Sequence, residues 1–205
     1  DLDGVICHTD QYHYLAWKQI SNDMGIYFDE EINGRLRGVS RMESLDIILE
    51  RSNGPELSQE DKEKLAEKKN EIYRSYLSTM TPDDVSEEVR ETLQELKDAG
   101  YPLAVGSSSK NTRFILKKTD LESAFDKVAD GSMIKRTKPD PEVFQLAAKL
   151  LGAPCGQCLV VEDALAGIQA AKAAGMKAAA YGEVRNDHVA DYDLAHFSDL
   201  KKILL

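Results

Sequence analysis

The stretch LVVEDALAGIQAAKAAGMKAAAY, residues 159–181, decides the fold. Leu159-Val160-Val161 is a short apolar run that ends abruptly in Glu162-Asp163. Ala164 to Ala174 follows with helical composition, and Gly175 is its stop. Ala178-Ala179-Ala180-Tyr181 is apolar again. A buried strand, a helix and a second buried strand make a parallel crossover unit, whose sheet must be covered on both faces. Upstream the alternation repeats. Leu103-Ala104-Val105-Gly106 ends in three serines, and a helix starts near Asn111. Val128-Ala129 ends at Asp130. Asp140-Pro141-Glu142 opens a helix that Gly152 closes, with Val143, Phe144, Ala147, Leu150 and Leu151 on one face. The expected class is α/β, a Rossmann-like parallel sheet.

The first third reads differently. From about Gln11 to Tyr76 the pattern is helical, broken by polar loops such as Ser52 to Gln59. Leu65, Ile72, Tyr73, Tyr76 and Leu77 form one stripe among Lys and Glu residues. The turn Thr81-Pro82-Asp83-Asp84 ends the block. The expected organisation is a sheet domain of residues 1–8 and 81–205, with a helical unit of residues 9–80 inserted.

Composition limits the partners. The chain has 205 residues and 42% hydrophobic residues, enough for a sizeable core, and a formal charge of −10. That balance argues against nucleic acid, but not against a small phosphorylated ligand in a local basic pocket. No apolar run approaches the length of a membrane span, and no signal peptide is visible. Three cysteines are too few for a disulfide framework. Cys155 and Cys158 read as an inert turn in a reducing cytoplasm, since a zinc site would need two further ligands.

Ligands of open parallel sheets gather beyond the carboxyl ends of the strands. The polar residues at or near such ends are Asp1 with Asp3, Ser107, and Glu162 with Asp163; Lys138 lies in a connecting loop. In an extended segment, Asp1 and Asp3 point to one side. Four acids make a hard oxygen site suited to Mg²⁺. Ser107 offers a hydroxyl to a phosphate and Lys138 a positive charge, so the chemistry indicated is phosphoryl transfer. Each feature alone is commonly structural. Their joint placement on one sheet shifts the balance.

Taken together, Asp1-Leu2-Asp3-Gly4-Val5, the strand ending in Ser107, Lys138-Pro139 and Val160-Val161-Glu162-Asp163 resemble the four motifs of the haloacid dehalogenase superfamily, in the right order. Within it, the chain is similar to the beta-phosphoglucomutase family. The resemblance implies a helical-bundle cap inserted after the first strand, that strand being an apolar segment of about five to seven residues before Asp1. It implies Asp1 as nucleophile and phosphorylated residue, and Asp3 as general acid/base. Mg²⁺ would be held by Asp1, the Asp3 carbonyl and Asp163, with Glu162 at or beside it. Ser107 and Lys138 would bind the transferring phosphoryl group. On the cap, Gly38-Val39-Ser40-Arg41 resembles a phosphate loop with Arg41 as clamp. His13, Lys69 and Trp17 resemble its substrate-facing side, and Ser109-Lys110-Asn111 a core loop that also touches phosphate. His8 stands where relatives commonly carry an acid. Read alone, His13 is a plain core or surface residue, Trp17 a core residue and Lys69 a solvated lysine. The implied activity is a cytoplasmic, monomeric mutase acting on sugar phosphates in carbohydrate metabolism; the alternative is a Mg²⁺-dependent sugar-phosphate phosphatase.

Overall fold

The computed structural model describes residues 1–36 and 39–205, and the chain divides into two compact units. One is Thr9–Thr79 and the other is Asp1–His8 with Met80–Leu205.

The first unit is helical: α1 (Asp10–Asp23), α2 (Glu30–Gly34), α3 (Arg41–Leu49) and α4 (Gln59–Leu77). Local signals set its boundaries. Asp29, Ser40 and Ser58 each accept the N–H three residues on at the start of α2, α3 and α4. Trp17, Ile20, Phe28, Ile32, Leu45 and Ile48 form its core. The inward stripe of α4 is Ala66, Lys69, Tyr73 and Leu77, so a lysine occupies a position that the 3.6-residue period points to the core.

The second unit carries α5 (Glu87–Asp98), β1 (Ala104–Gly106), α6 (Thr112–Lys118), β2 (Lys127–Ala129) and α7 (Glu142–Leu151). It continues with β3 (Leu159–Glu162), α8 (Leu165–Ala173), β4 (Lys177–Ala180), β5 (Tyr192–Asp193) and α9 (Leu200–Leu204). All strand pairings are parallel, as the apolar runs require. They form two ladders, β1-β2 and β3-β4-β5, with Val160 opposite Ala178 and Val105 opposite Val128. The nitrogen of Asp1 donates to the Val161 carbonyl at 2.8 Å, which ties the opening segment to β3. The short β5 carries no hydrophobic run and was not legible as a strand. Helix starts shift slightly: α7 begins at Glu142, where the Asp140 carboxylate accepts the Glu142 N–H, and α8 begins at Leu165. Gly152 adopts φ +72° and closes α7 in the left-handed conformation, as expected. Alanines and small residues dominate the core between the sheet and helices α7 and α8, which lets the helix backbones approach closely.

Candidate active site

The opening segment, the end of β3 and one loop bring three carboxylates and one ammonium together. Oxygens of Asp1, Glu162 and Asp163 lie within 4.8 Å of one another. Lys138 Nζ sits 2.7 Å from Asp1 Oδ1 and donates also to Glu162 Oε1. These groups are nearly dry: the Lys138, Asp1 and Glu162 side chains are 9%, 10% and 1% exposed. Glu162 turns its other oxygen to the N–H groups of Asp163 and Ala164, 3.2 and 3.4 Å away, at the start of α8. Both of its oxygens are therefore engaged, which a buried carboxylate requires.

Two glycines make room for these acids. A Cβ at Gly167 would fall 1.9 Å from the Glu162 carboxyl carbon. A Cβ at Gly4 would fall 2.0 Å from an Asp163 oxygen, and Gly4 holds φ +81° besides. The turn that Gly4 makes is closed by its N–H to the Cys7 carbonyl at 2.7 Å, and by Ile6 and Cys7 donating to the Leu2 carbonyl. Asp3 is bridged to Cys7 on this turn, and its carboxylate is not one of the three that cluster.

The expected phosphate loop is built of nested hydrogen bonds. Ser107 is buried at the end of β1, and its hydroxyl accepts the Ser109 N–H at 3.1 Å. The Ser109 hydroxyl accepts the Asn111 N–H at 3.1 Å, and its carbonyl accepts the Gly131 N–H at 3.1 Å. The Ser108 hydroxyl is buried without a hydrogen-bond partner. Lys110 is exposed and Asn111 buried.

Sequence reasoning missed what holds the Lys138 loop. Asp130, 2% exposed at the end of β2, accepts Arg113 Nε at 2.9 Å and both the N–H and hydroxyl of Ser132. Glu142 accepts the N–H groups of Lys135 and Arg136 at 3.1 and 2.9 Å. An aspartate ending a strand and followed by Gly-Ser was the available signal for the first; the second had none beyond its helix-start position.

The helical unit holds a second cluster. Lys69, 3% exposed, donates to His13 Nδ1 at 2.6 Å and lies over the rings of Tyr73 and Trp17, 4.6 and 5.1 Å from their centroids. His13 stacks on Tyr73 at 4.0 Å, and the Tyr73 hydroxyl meets Thr9 Oγ1 at 2.8 Å. Burial first, then the Lys69 and Arg41 charges, hold the His13 pKa well below its ordinary value, so the ring is neutral and accepts the lysine proton. Read from sequence alone, Lys69 is solvated; the structure puts it in an aromatic seat. Trp17 belongs to the core of this unit. Arg41 opens α3 behind the Ser40 cap; its Nη2 donates to Asn70 Oδ1 at 2.9 Å and its Nη1 lies 3.4 Å from Glu67. Val39 is partly buried, and Gly38 lies outside the described residues.

The cysteines take no part. All three are free thiols. Burial, then the Asp3 charge, raises the Cys7 thiol far above its ordinary range. No helix among the described residues is long and apolar enough to cross a membrane.

Three carboxylates against one ammonium leave a net charge of minus two at the site. A phosphate dianion would be repelled by that charge unless a divalent cation joined it. The donor set, three hard carboxylates close together, fits Mg²⁺. Comparison with known proteins agrees with this chemistry. A beta-phosphoglucomutase of Bacillus subtilis is 37% identical over the whole chain and 91% of its own length. A fructose-1-phosphate phosphatase of Escherichia coli is 33% identical over 87% of this chain and 92% of its own. The crystal structure of a beta-phosphoglucomutase from Clostridium difficile superposes with a TM-score of 0.90 at 36% identity, covering 99% of this chain and 92% of that one. The model of the haloacid dehalogenase-like hydrolases matches residues 1–175, most of the chain and every strand-end acid described above, and this protein is a member of that family.

Proposed function

We propose that the protein is a beta-phosphoglucomutase, interconverting beta-D-glucose 1-phosphate and glucose 6-phosphate through an aspartyl phosphate and a bisphosphate intermediate. Asp1 Oδ1, 2.7 Å from Lys138, is the nucleophile. In the first half-reaction the phosphorylated Asp1 passes its phosphoryl group to a sugar hydroxyl. The new bond is from phosphorus to the sugar oxygen, the Asp1–phosphorus bond breaks, and Asp3 takes the hydroxyl proton. The bisphosphate turns around and the reverse step follows at its other end. Asp1 attacks, the sugar oxygen leaves, and Asp3 returns the proton. Lys138 offsets the charge that builds on the phosphoryl oxygens, and Ser107 offers them a donor. Bound at Asp1, Asp163 and the Asp3 carbonyl, with Glu162 alongside, Mg²⁺ would supply the positive charge that lets a phosphate enter an acidic site.

The helical unit is the cap in this reading. Arg41 holds the phosphate that is not being transferred, with Val39, Ser40 and Gly38 as its loop. His13, Trp17 and Lys69 face the sugar side, and Ser109, Lys110 and Asn111 meet the phosphate from the core. The observation that carries the reading is the pre-set guanidinium: Asn70 and Glu67 fix the Arg41 fork on α4, a side chain 30% exposed and shaped for a phosphate. The full-length similarity to beta-phosphoglucomutases supports it. The similarity to a fructose-1-phosphate phosphatase supports the second reading, a sugar-phosphate phosphatase in which water takes the phosphoryl group. Beta-glucose 1-phosphate, offered with Mg²⁺ and a trace of bisphosphate, separates them. The mutase yields glucose 6-phosphate with little free phosphate. Free phosphate without glucose 6-phosphate would establish the phosphatase.

A further inference from the structure

Lys138 has a third neighbour besides its two carboxylates. Its Nζ lies 4.7 Å from the centroid of the Phe144 ring, on α7. Phe144 is 3% exposed, and its ring is backed by the end of β1: a Cβ at Gly106 would fall 2.8 Å from ring Cδ1 and 3.0 Å from Cε1. The ring thus touches both the strand end and the ammonium. Gly106 gives the ring its place, and the ring gives the ammonium its place.

We propose that Phe144 is a positioning residue for phosphoryl transfer, acting through Lys138 by a cation–π contact that Gly106 makes room for. The inference rests on the reading of Lys138 as the ammonium of the transfer step, and not on the choice between mutase and phosphatase.

Lysine is a point charge on a flexible stem, so its position is set by what surrounds it. Carboxylate partners fix it in the resting site. Of the two only Glu162 keeps its charge throughout the reaction, because the Asp1 carboxylate loses its own when it takes the phosphoryl group. A ring face attracts the ammonium whatever the state of Asp1. It also accepts no hydrogen bond in the ordinary sense, so it leaves the N–H groups free to turn toward phosphoryl oxygens. In a dry site this attraction is at the strong end of its range.

The test is the rate of aspartyl phosphate formation from acetyl phosphate and Mg²⁺ in single turnovers, a step both functional readings share. Phe144 is replaced by mono-, di- and trifluorophenylalanine, which keep the ring's shape while draining its negative face. The rate constant should fall stepwise, by about 10-fold at the trifluoro ring. The Mg²⁺ concentration for half-maximal rate should not move. Phe144→Leu should cost about 10- to 30-fold and Phe144→Tyr should restore most of the loss. If Phe144→Leu does not fold, the fluorinated series decides alone. A flat series in a labelled wild type would overturn the role of the ring, as would a loss that lies wholly in the Mg²⁺ requirement. A wild type that takes no label at Asp1 would overturn the functional reading, and this inference with it.

Discussion

The molecule buries a lysine in each unit, and the two seats are built on opposite principles. Lys138 in the α/β unit sits between carboxylates, Asp1 at 2.7 Å and Glu162 on the other side. Lys69 in the helical unit sits against a neutral imidazole and over two aromatic faces. The first seat is rich in negative charge and calls for more cations. The second holds an ammonium against an imidazole and two ring faces, none of which carries a formal negative charge. A catalytic site that must accept a dianion and a metal suits the first arrangement.

The largest predicted effect tests the charge-rich seat. Asp1→Asn should abolish aspartyl phosphate, with turnover lowered by about 10⁴-fold or more. Labelling with a radioactive acyl phosphate reads this directly. Label retained in the variant would place the nucleophile elsewhere and remove the contrast between the two seats. Chelation comes next. EDTA should silence the enzyme and Mg²⁺ should restore it, because the net charge of minus two otherwise excludes phosphate. Asp163→Asn should raise the Mg²⁺ requirement. Full turnover in chelator would show that Lys138 alone balances the acids. Asp3→Asn should slow turnover by about 10² to 10⁴-fold while an activated donor still labels Asp1. Equal loss of both would make Asp3 a structural acid of its turn.

The charge-rich seat was legible in the sequence and the aromatic seat much less so. Ser107 and the Glu162-Asp163 pair each follow a short apolar run, and a parallel sheet sends such run ends to one edge; Asp1 was placed with them through the Asp1-Leu2-Asp3 motif. Chain order therefore predicts spatial convergence there. Lys138 was found through its loop, but its Phe144 support was not, because an aromatic on an apolar helix face reads as core in any sequence. Lys69 shows the opposite failure. In a helix full of Lys and Glu, one lysine turned inward has no mark except its phase with Tyr73 and Leu77, and period alone gives that phase equally to a solvated neighbour of the stripe. The same holds for Gly167: its need for room becomes visible only once the Glu162 carboxylate stands above it.

A smaller effect sharpens what the helical unit contributes. Arg41 is placed by Asn70 and Glu67 rather than by the reacting groups. A guanidinium–phosphate contact is worth about 1.5 to 3 kcal/mol. Arg41→Ala should therefore cut isomerisation by about 10-fold or more, and leave labelling by acyl phosphate nearly unchanged. Hydrolysis should rise relative to transfer as water gains access. Product analysis of glucose 6-phosphate against free phosphate measures both. Unchanged sugar-phosphate turnover would detach the second cluster from catalysis.

The smallest effect is a slope of stability against pH, and it isolates the aromatic seat from everything in the α/β unit. Burial, the Lys69 ammonium and Arg41 hold the folded His13 pKa well below the ordinary value. The unfolded chain takes a proton on this ring near pH 6.5, where the folded chain does not. The unfolded state then binds more protons, so stability rises with pH across that window. The contribution is intact above about pH 6.5 and is lost at up to about 1.4 kcal/mol per pH unit below it, until the folded ring titrates. His13→Gln keeps an oxygen that can accept from Lys69 and removes the titration. Urea unfolding of the wild type and the variant between neutral and mildly acidic pH should therefore give converging curves: the wild type loses stability on acidification faster than the variant. Curves that stay parallel through this range would mean that the imidazole titrates alike in the folded and the unfolded chain. Burial and the Lys69 charge would then not hold the ring neutral, and the hydrogen bond from Lys69 to His13 would not persist in solution.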